Sequence, residues 1–189
     1  WSDIGTKQSY AMSSLLELTA QAFDIRRDKI KHITVQKLAG DGSDRQWYRV
    51  VKRRKARDKE QEAGDKRQDN EVSSYDTELS YIIGDHGICL PGSESEKQLN
   101  AFIRIGAHLF SKGIPVPRIL NYDKLSGMVI MDDLGDVHLA SHIKTLQSTT
   151  ELIKLYQSII DQVIRFSSLG LEGFDTAWTC QTSTYSKEL

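Results

Sequence analysis

The sequence predicts an α+β fold built on an antiparallel sheet, and three observations lead there. Five short runs rich in β-branched and aromatic residues, His32–Leu38, Arg45–Val51, Leu79–Asp85, Val116–Asp123 and Gly127–Gly135, carry strand character. Apolar residues recur at helical spacing in three other stretches: before the first strand, between the third and fourth, and after the fifth. The strand runs are joined by short turns rather than by regular helical crossovers, which favours an antiparallel sheet over a doubly wound parallel one.

Each element has a local reason. Residues 10–24 place Leu15, Leu18, Ala22 and Phe23 on one helical face. The stretch LAGDGSDRQWYRV, Leu38 to Val50, sets two glycines, an aspartate, a serine and an arginine between two strands, so it reads as a hairpin connection. From Lys52 to Asn70 the only apolar residue type is alanine. Such a stretch cannot bury a core face, and residues 52–76 are expected to be a solvated or disordered insertion. Ser93 and Glu96 then form an S-x-x-E capping pattern. It opens a helix with Leu99, Phe102, Ile103, Gly106, Leu109 and Phe110 on one face. Gly113 and Pro115 supply its stop. A last long helix carries Leu152, Leu155, Tyr156, Ile159, Ile160, Val163 and Ile164 on one side and ends at Gly170. Its wide apolar stripe predicts packing in a core.

Composition narrows the function classes. The chain has 189 residues, 39% apolar and 27% charged, with a formal net charge of -1. It reads as a globular chain with no global field for nucleic acid or anionic membrane. No apolar run is long enough to span a bilayer, and the N-terminus WSDIGTKQ lacks a signal-peptide pattern. Cys89 and Cys180 are far apart and form no C-x-x-C pair, so free thiols of a cytoplasmic protein are expected rather than a zinc site. His138 and His142 stand at i, i+4 without an evident third ligand, and a surface helix is the plainer reading. The absence of an initiating Met predicts that the chain is part of a longer reading frame.

Three strands, one helix and two strands is also the order of the small lobe of a kinase. The stretch GDGSDRQWYRV, with IPVPRILNYD and MVIMDDLGD, resembles the aminoglycoside phosphotransferase and choline kinase-like superfamily. Within it, the wording is nearest the bacterial sugar kinases that phosphorylate N-acetylmuramate and N-acetylglucosamine at the anomeric carbon. The resemblance covers roughly residues 32–175. It implies a kinase-like small lobe, a five-stranded antiparallel sheet with one main helix, followed by the first helix of an incomplete helical large lobe. The implied division is a helical extension over 1–30, the small lobe over 31–133, and a linker with the start of the large lobe over 134–189.

The resemblance also implies a site. Gly40 and Gly42 would let backbone N–H groups approach the phosphates of ATP, with Asp41 beside them, a hydroxyl from Ser43 and a cationic fork from Arg45. Met131, Asp132, Asp133 and Leu134 would form the hinge whose backbone receives adenine. Val50, Ile83 and Val129 are candidates for apolar walls of the adenine slot, with plain sheet core as the alternative. Asp132 and Asp133 are not expected to share a metal, since adjacent strand residues point to opposite faces.

Two departures qualify the expectation. The strand LSYIIGD has no lysine where many of these kinases hold the α- and β-phosphates; Arg45 or Arg49 is the candidate substitute. The H-x-D-x-x-x-x-N segment that orients the acceptor hydroxyl and binds Mg²⁺ is not in this chain: none of His32, His86, His108, His138 and His142 begins one. The expectation is therefore the nucleotide-binding portion of an ATP- and Mg²⁺-dependent phosphotransferase acting on a small-molecule hydroxyl, inactive alone. Neither nucleic acid nor a membrane is an expected partner, and self-association through the last helix is. The competing expectation is a non-catalytic kinase-like binding module.

Overall fold

A computed structural model describes residues 5–39, 45–54 and 77–180. The first helix, α1 (Lys7–Ala22), starts at Thr6, whose side chain accepts from the Ser9 N–H while Ser9 bonds back to the Thr6 backbone. It ends where Asp24 takes a φ of 48°. A 3₁₀ stretch, Arg27–His32, leads into the sheet.

The sheet comprises β1 (Ile33–Lys37), β2 (Gln46–Arg54), β3 (Thr77–Asp85), β4 (Ile119–Asp123) and β5 (Met128–Asp132). Its spatial order is β1-β2-β3-β5-β4, and every neighbouring pair is antiparallel. The expectation of an α+β fold on a five-stranded antiparallel sheet is met. One boundary is corrected. Residues 52–54 belong to β2 rather than to an insertion: Lys52 pairs with Leu79, Arg53 with Glu78 and Arg54 with Thr77. The backbone ladder tolerates polar side chains, and Arg53 and Glu78 face each other across it at 3.7 Å. The remaining 55–76 lie outside the described residues. β4 begins at Ile119 rather than Val116, because Pro115 and Pro117 bring no N–H to a ladder.

The tight β4–β5 connection depends on Gly127. Its φ is +75°, and a Cβ there would stand 2.0 Å from the Gly87 carbonyl oxygen. Asp123 shapes the same turn, accepting from the N–H groups of Leu125 and Ser126.

Helix α2 (Glu94–Ser111) crosses from β3 to β4. Ser93 caps it as expected, accepting from the Glu96 N–H. The Glu96 carboxylate reaches one residue further back, to the Gly92 N–H at 2.7 Å. Gly113 follows the helix with a left-handed φ of 69°.

The period-two alternation of the strands builds two cores. On one face Val50, Ile83, Met128 and Ile130 pack with Leu15 and Leu18 of α1 and with Phe23 just beyond its end. On the other, Val129 and Met131 pack with Cys89 and with Leu99 of α2, with Trp47, Ile82, Phe102 and Ile103 against them.

The C-terminal part holds α3 (Leu139–Ile143) and α4 (Thr149–Leu169). Ser148 and Glu151 form a capping box at the start of α4, a signal present in the sequence. The expectation that α4 packs in a core is corrected. None of its residues is buried, and Ile153, Tyr156, Ile160, Val163, Ile164 and Phe166 are exposed. Contacts among the described residues tie down its C-terminal end. His108 of α2 meets the Gly170 carbonyl at 2.9 Å, Arg165 donates to Gly113 O, and His108, Phe174 and Trp178 pack edge to face. No helix among the described residues is long and apolar enough to cross a membrane.

Candidate functional site

The α2 face of the sheet gathers the polar groups that matter. β2 presents Trp47 and Arg49 on this face, and β3 presents Ser80, Ile82 and Gly84 by the same alternation. The indole of Trp47 lies directly on Gly84, where a Cβ would come within 2.8 Å of the ring. Arg45, at the entry to β2, stands over that indole at 5.9 Å from its centroid, a cation–π contact.

Arg49 is the most heavily engaged charge. Its two terminal nitrogens donate to the two oxygens of Asp136, both at 2.7 Å. Its Nε lies 2.7 Å from Asp133 Oδ2, and Nη2 donates to Asp133 Oδ1 at 3.2 Å. The Nε approach is close but not aligned as a hydrogen bond, so it counts as charge contact. Asp133 also accepts from the Gly135 N–H at 2.9 Å. The two carboxylates differ sharply: the Asp133 side chain is 6% exposed and the Asp136 side chain 78%. Burial pushes the Asp133 carboxyl up, but the Gly135 N–H, the Ser80 hydroxyl and Arg49 outweigh it and hold the pKa below the usual value. Hydrogen bonding from Arg49 lowers Asp136 as well. The guanidinium is in turn held firmly charged by both carboxylates. The D-L-G-D stretch is thus clamped to the middle of β2. Nothing local in the sequence signals this pairing, which spans 84 and 87 residues.

The hinge candidates separate. Met131 is buried in the α2-side core and pairs with both Ile82 and Ile119. Asp132 donates its N–H to Arg118 O at 3.0 Å and pairs with the Arg118 side chain at 3.4 Å. Asp133 turns to Arg49 instead, so the two aspartates have separate partners. Leu134 is 71% exposed. Val50 is fully buried under α1 with Ile83, whereas Val129 lies in the opposite core. The three do not line one slot. Gly40, Asp41, Gly42 and Ser43 lie outside the described residues, and the described flanks of their loop are joined by the Leu38 N–H donating to Trp47 O.

In the sequence His86 stands out only as a histidine that begins no H-x-D-x-x-x-x-N segment. A turn is present, with Asp85 accepting from the Gly87 N–H at 2.8 Å. The imidazole, however, packs against the Phe102 ring at 5.4 Å with both nitrogens covered and without a hydrogen-bond partner. Burial, and then the nearby charge of Arg45, lower its pKa to about 4. The ring is held neutral.

A cleft of about 480 Å³ opens on the other face, between α1 and β4, lined by Tyr10, Ser14, Gln21, Arg27, Asn121 and Asp123 among others. Asp123 is satisfied there by the hydroxyls of Ser14 at 2.6 Å and Tyr10 at 3.0 Å. Among the described residues no group of three His, Cys, Asp or Glu side chains is placed to hold a metal. No protein-family model, curated protein or solved structure matches this chain.

Proposed function

We propose that this chain is the nucleotide-binding portion of an ATP- and Mg²⁺-dependent phosphotransferase that acts on a hydroxyl of a sugar or aminoglycoside-type small molecule. The observation that carries the reading is the strand order β1-β2-β3-β5-β4 with α2 inserted between β3 and β4. Its chain order, three strands, one helix and two strands, is the one the resemblance to a kinase-like small lobe implies. It sets two ends to the α2 face. The Tyr81–Asp132 pair stands beside the hinge candidates, and the Asp85–Gln46 pair stands beside Arg45. Four strand steps, about 13 Å, separate them, a span suited to an extended nucleoside triphosphate. Adenine then belongs near Asp133 and Leu134, the first residues beyond the ladder, and the phosphates near Arg45 and the loop of Gly40, Asp41, Gly42 and Ser43. Arg49 is tied to Asp133 and Asp136, and Arg45 stands at the entry to β2 over the Trp47 ring, which makes it our candidate substitute for the lysine that β3 lacks.

The test is thermal unfolding with and without Mg²⁺ and ATP. The reading expects a stabilising shift that Arg45→Ala abolishes. A melting temperature indifferent to millimolar ATP would refute it in favour of the non-catalytic binding module, which the missing β3 lysine favours.

A further inference from the structure

We propose that α4 pairs with the α4 of a second copy of this chain, antiparallel across a two-fold axis near residue 158, with Lys154 of each copy against Asp161 of the other. This pairing gives a geometry to the self-association expected of the last helix. It does not depend on the nucleotide reading, and either can fail without the other.

The first support is an uncovered seam. Ile153, Tyr156, Ile160 and Val163 recur along α4 at spacings of three, four and three residues, the period with which one helix packs along another. All four are about half exposed, as is Ile164 beside them. The half-buried residues, Leu152, Leu155, Ile159 and Gln162, run along a neighbouring side of the helix. A contiguous apolar stripe left open to water marks an interaction surface.

The second is symmetry. Ile153 and Val163 stand five residues to either side of residue 158, and Tyr156 and Ile160 two residues to either side. Turned end for end, the stripe presents the same spacing. A second α4 laid antiparallel therefore sets Ile153 of one copy against Val163 of the other, and Tyr156 against Ile160. A contact of this kind uses the same surface on both copies and closes at the dimer.

The third is charge. Lys154 and Asp161 are seven residues apart, two helical turns, so they share one flank of the stripe. Both are exposed, and among the described residues neither enters an ion pair. Their midpoint falls within one residue of the midpoint of the stripe. Antiparallel pairing brings like flanks together and forms both Lys154–Asp161 contacts at once. Parallel pairing brings opposite flanks together and leaves these charges unmatched. The remaining charges of the central and terminal turns are already used: Glu151 accepts from the Gln147 and Ser148 N–H groups, and Arg165 donates to Gly113 O. Apolar contact supplies the affinity, and the charges fix direction and register.

The experiment is sedimentation equilibrium of the full chain over a concentration series, with charge-reversed variants on the exposed flank. The expected result is a reversible monomer–dimer equilibrium with no larger species. Lys154→Asp and Asp161→Lys each set like charges together twice in the dimer and are expected to weaken it on the order of tenfold. The double variant Lys154→Asp/Asp161→Lys restores the dimer, and the two single variants mixed together form it as a hetero-pair. Far-UV circular dichroism at each variant's unfolding midpoint checks that the helix itself is kept. A monomer at every concentration overturns the pairing and leaves the stripe to another partner. Open-ended association beyond the dimer overturns it as well. A dimer indifferent to both single reversals, or one that the double variant does not restore, overturns the antiparallel register.

Discussion

Replacing Arg49 by methionine keeps most of the aliphatic stem and removes the charge from the clamp. Asp133, 6% exposed, is then left as a buried carboxylate without its cation. Orphaning one partner of a fully buried pair costs about 3–5 kcal/mol. Here Asp133 retains the Gly135 N–H and the Ser80 hydroxyl, so about 2 kcal/mol is the better expectation. Asp136 is exposed and adds little. Urea unfolding followed by far-UV circular dichroism measures the loss. At an m-value of about 2 kcal/mol/M, the midpoint falls by about 1 M. Removing the stranded charge as well, in Arg49→Met/Asp133→Asn, should recover most of the loss, because the cost comes from the unpaired carboxylate. Asp136→Asn alone should barely move the midpoint. An Arg49→Met midpoint within error of wild type, or a double variant as unstable as the sum of its parts, would refute the clamp as a stabilising element.

Three further outcomes are expected. His86 titrates near 4 in the folded chain and near 6.5 unfolded. Between those values the unfolded state binds the extra proton, so stability falls on acidification from pH 7 towards 4 with a slope of at most one proton; His86→Phe should flatten that part of the urea-midpoint profile. The lowered carboxyls Asp123, Asp133 and Asp136 act further down, their stability being lost as pH falls through and below the ordinary aspartate value. Gly127→Ala combines a left-handed φ with a Cβ set against the Gly87 carbonyl and should cost more than about 2 kcal/mol, read as a lower melting temperature. Ile160→Gln with Ile164→Gln on the exposed side of α4 should leave the unfolding midpoint within about 0.5 kcal/mol while reducing binding of a hydrophobic dye and any concentration-dependent light scattering.

The sequence by itself determined the five strands, the main helices, the caps at Ser93 and Gly113, and the buried face of α1. These follow from periodicity of two or 3.6 and from residues that satisfy or end a backbone ladder locally. It did not determine how far β2 and β3 extend, because backbone pairing accepts Lys52–Arg54 as readily as apolar residues. It also could not say whether the apolar stripe of α4 is covered, since a stripe encodes the need for a partner and not its presence. Only the tertiary structure decided the chemistry of the α2 face. Val50 and Val129 read alike along the chain, yet one strand order sends them to opposite cores. Arg49 meets Asp133 and Asp136 because β3 and β5 bring segments more than 80 residues apart together. His86 became conspicuous only through burial beside Phe102 and Arg45. Local sequence sets backbone conformation and facing, whereas ion pairs and unpaired buried groups arise from long-range juxtaposition, which no local pattern encodes.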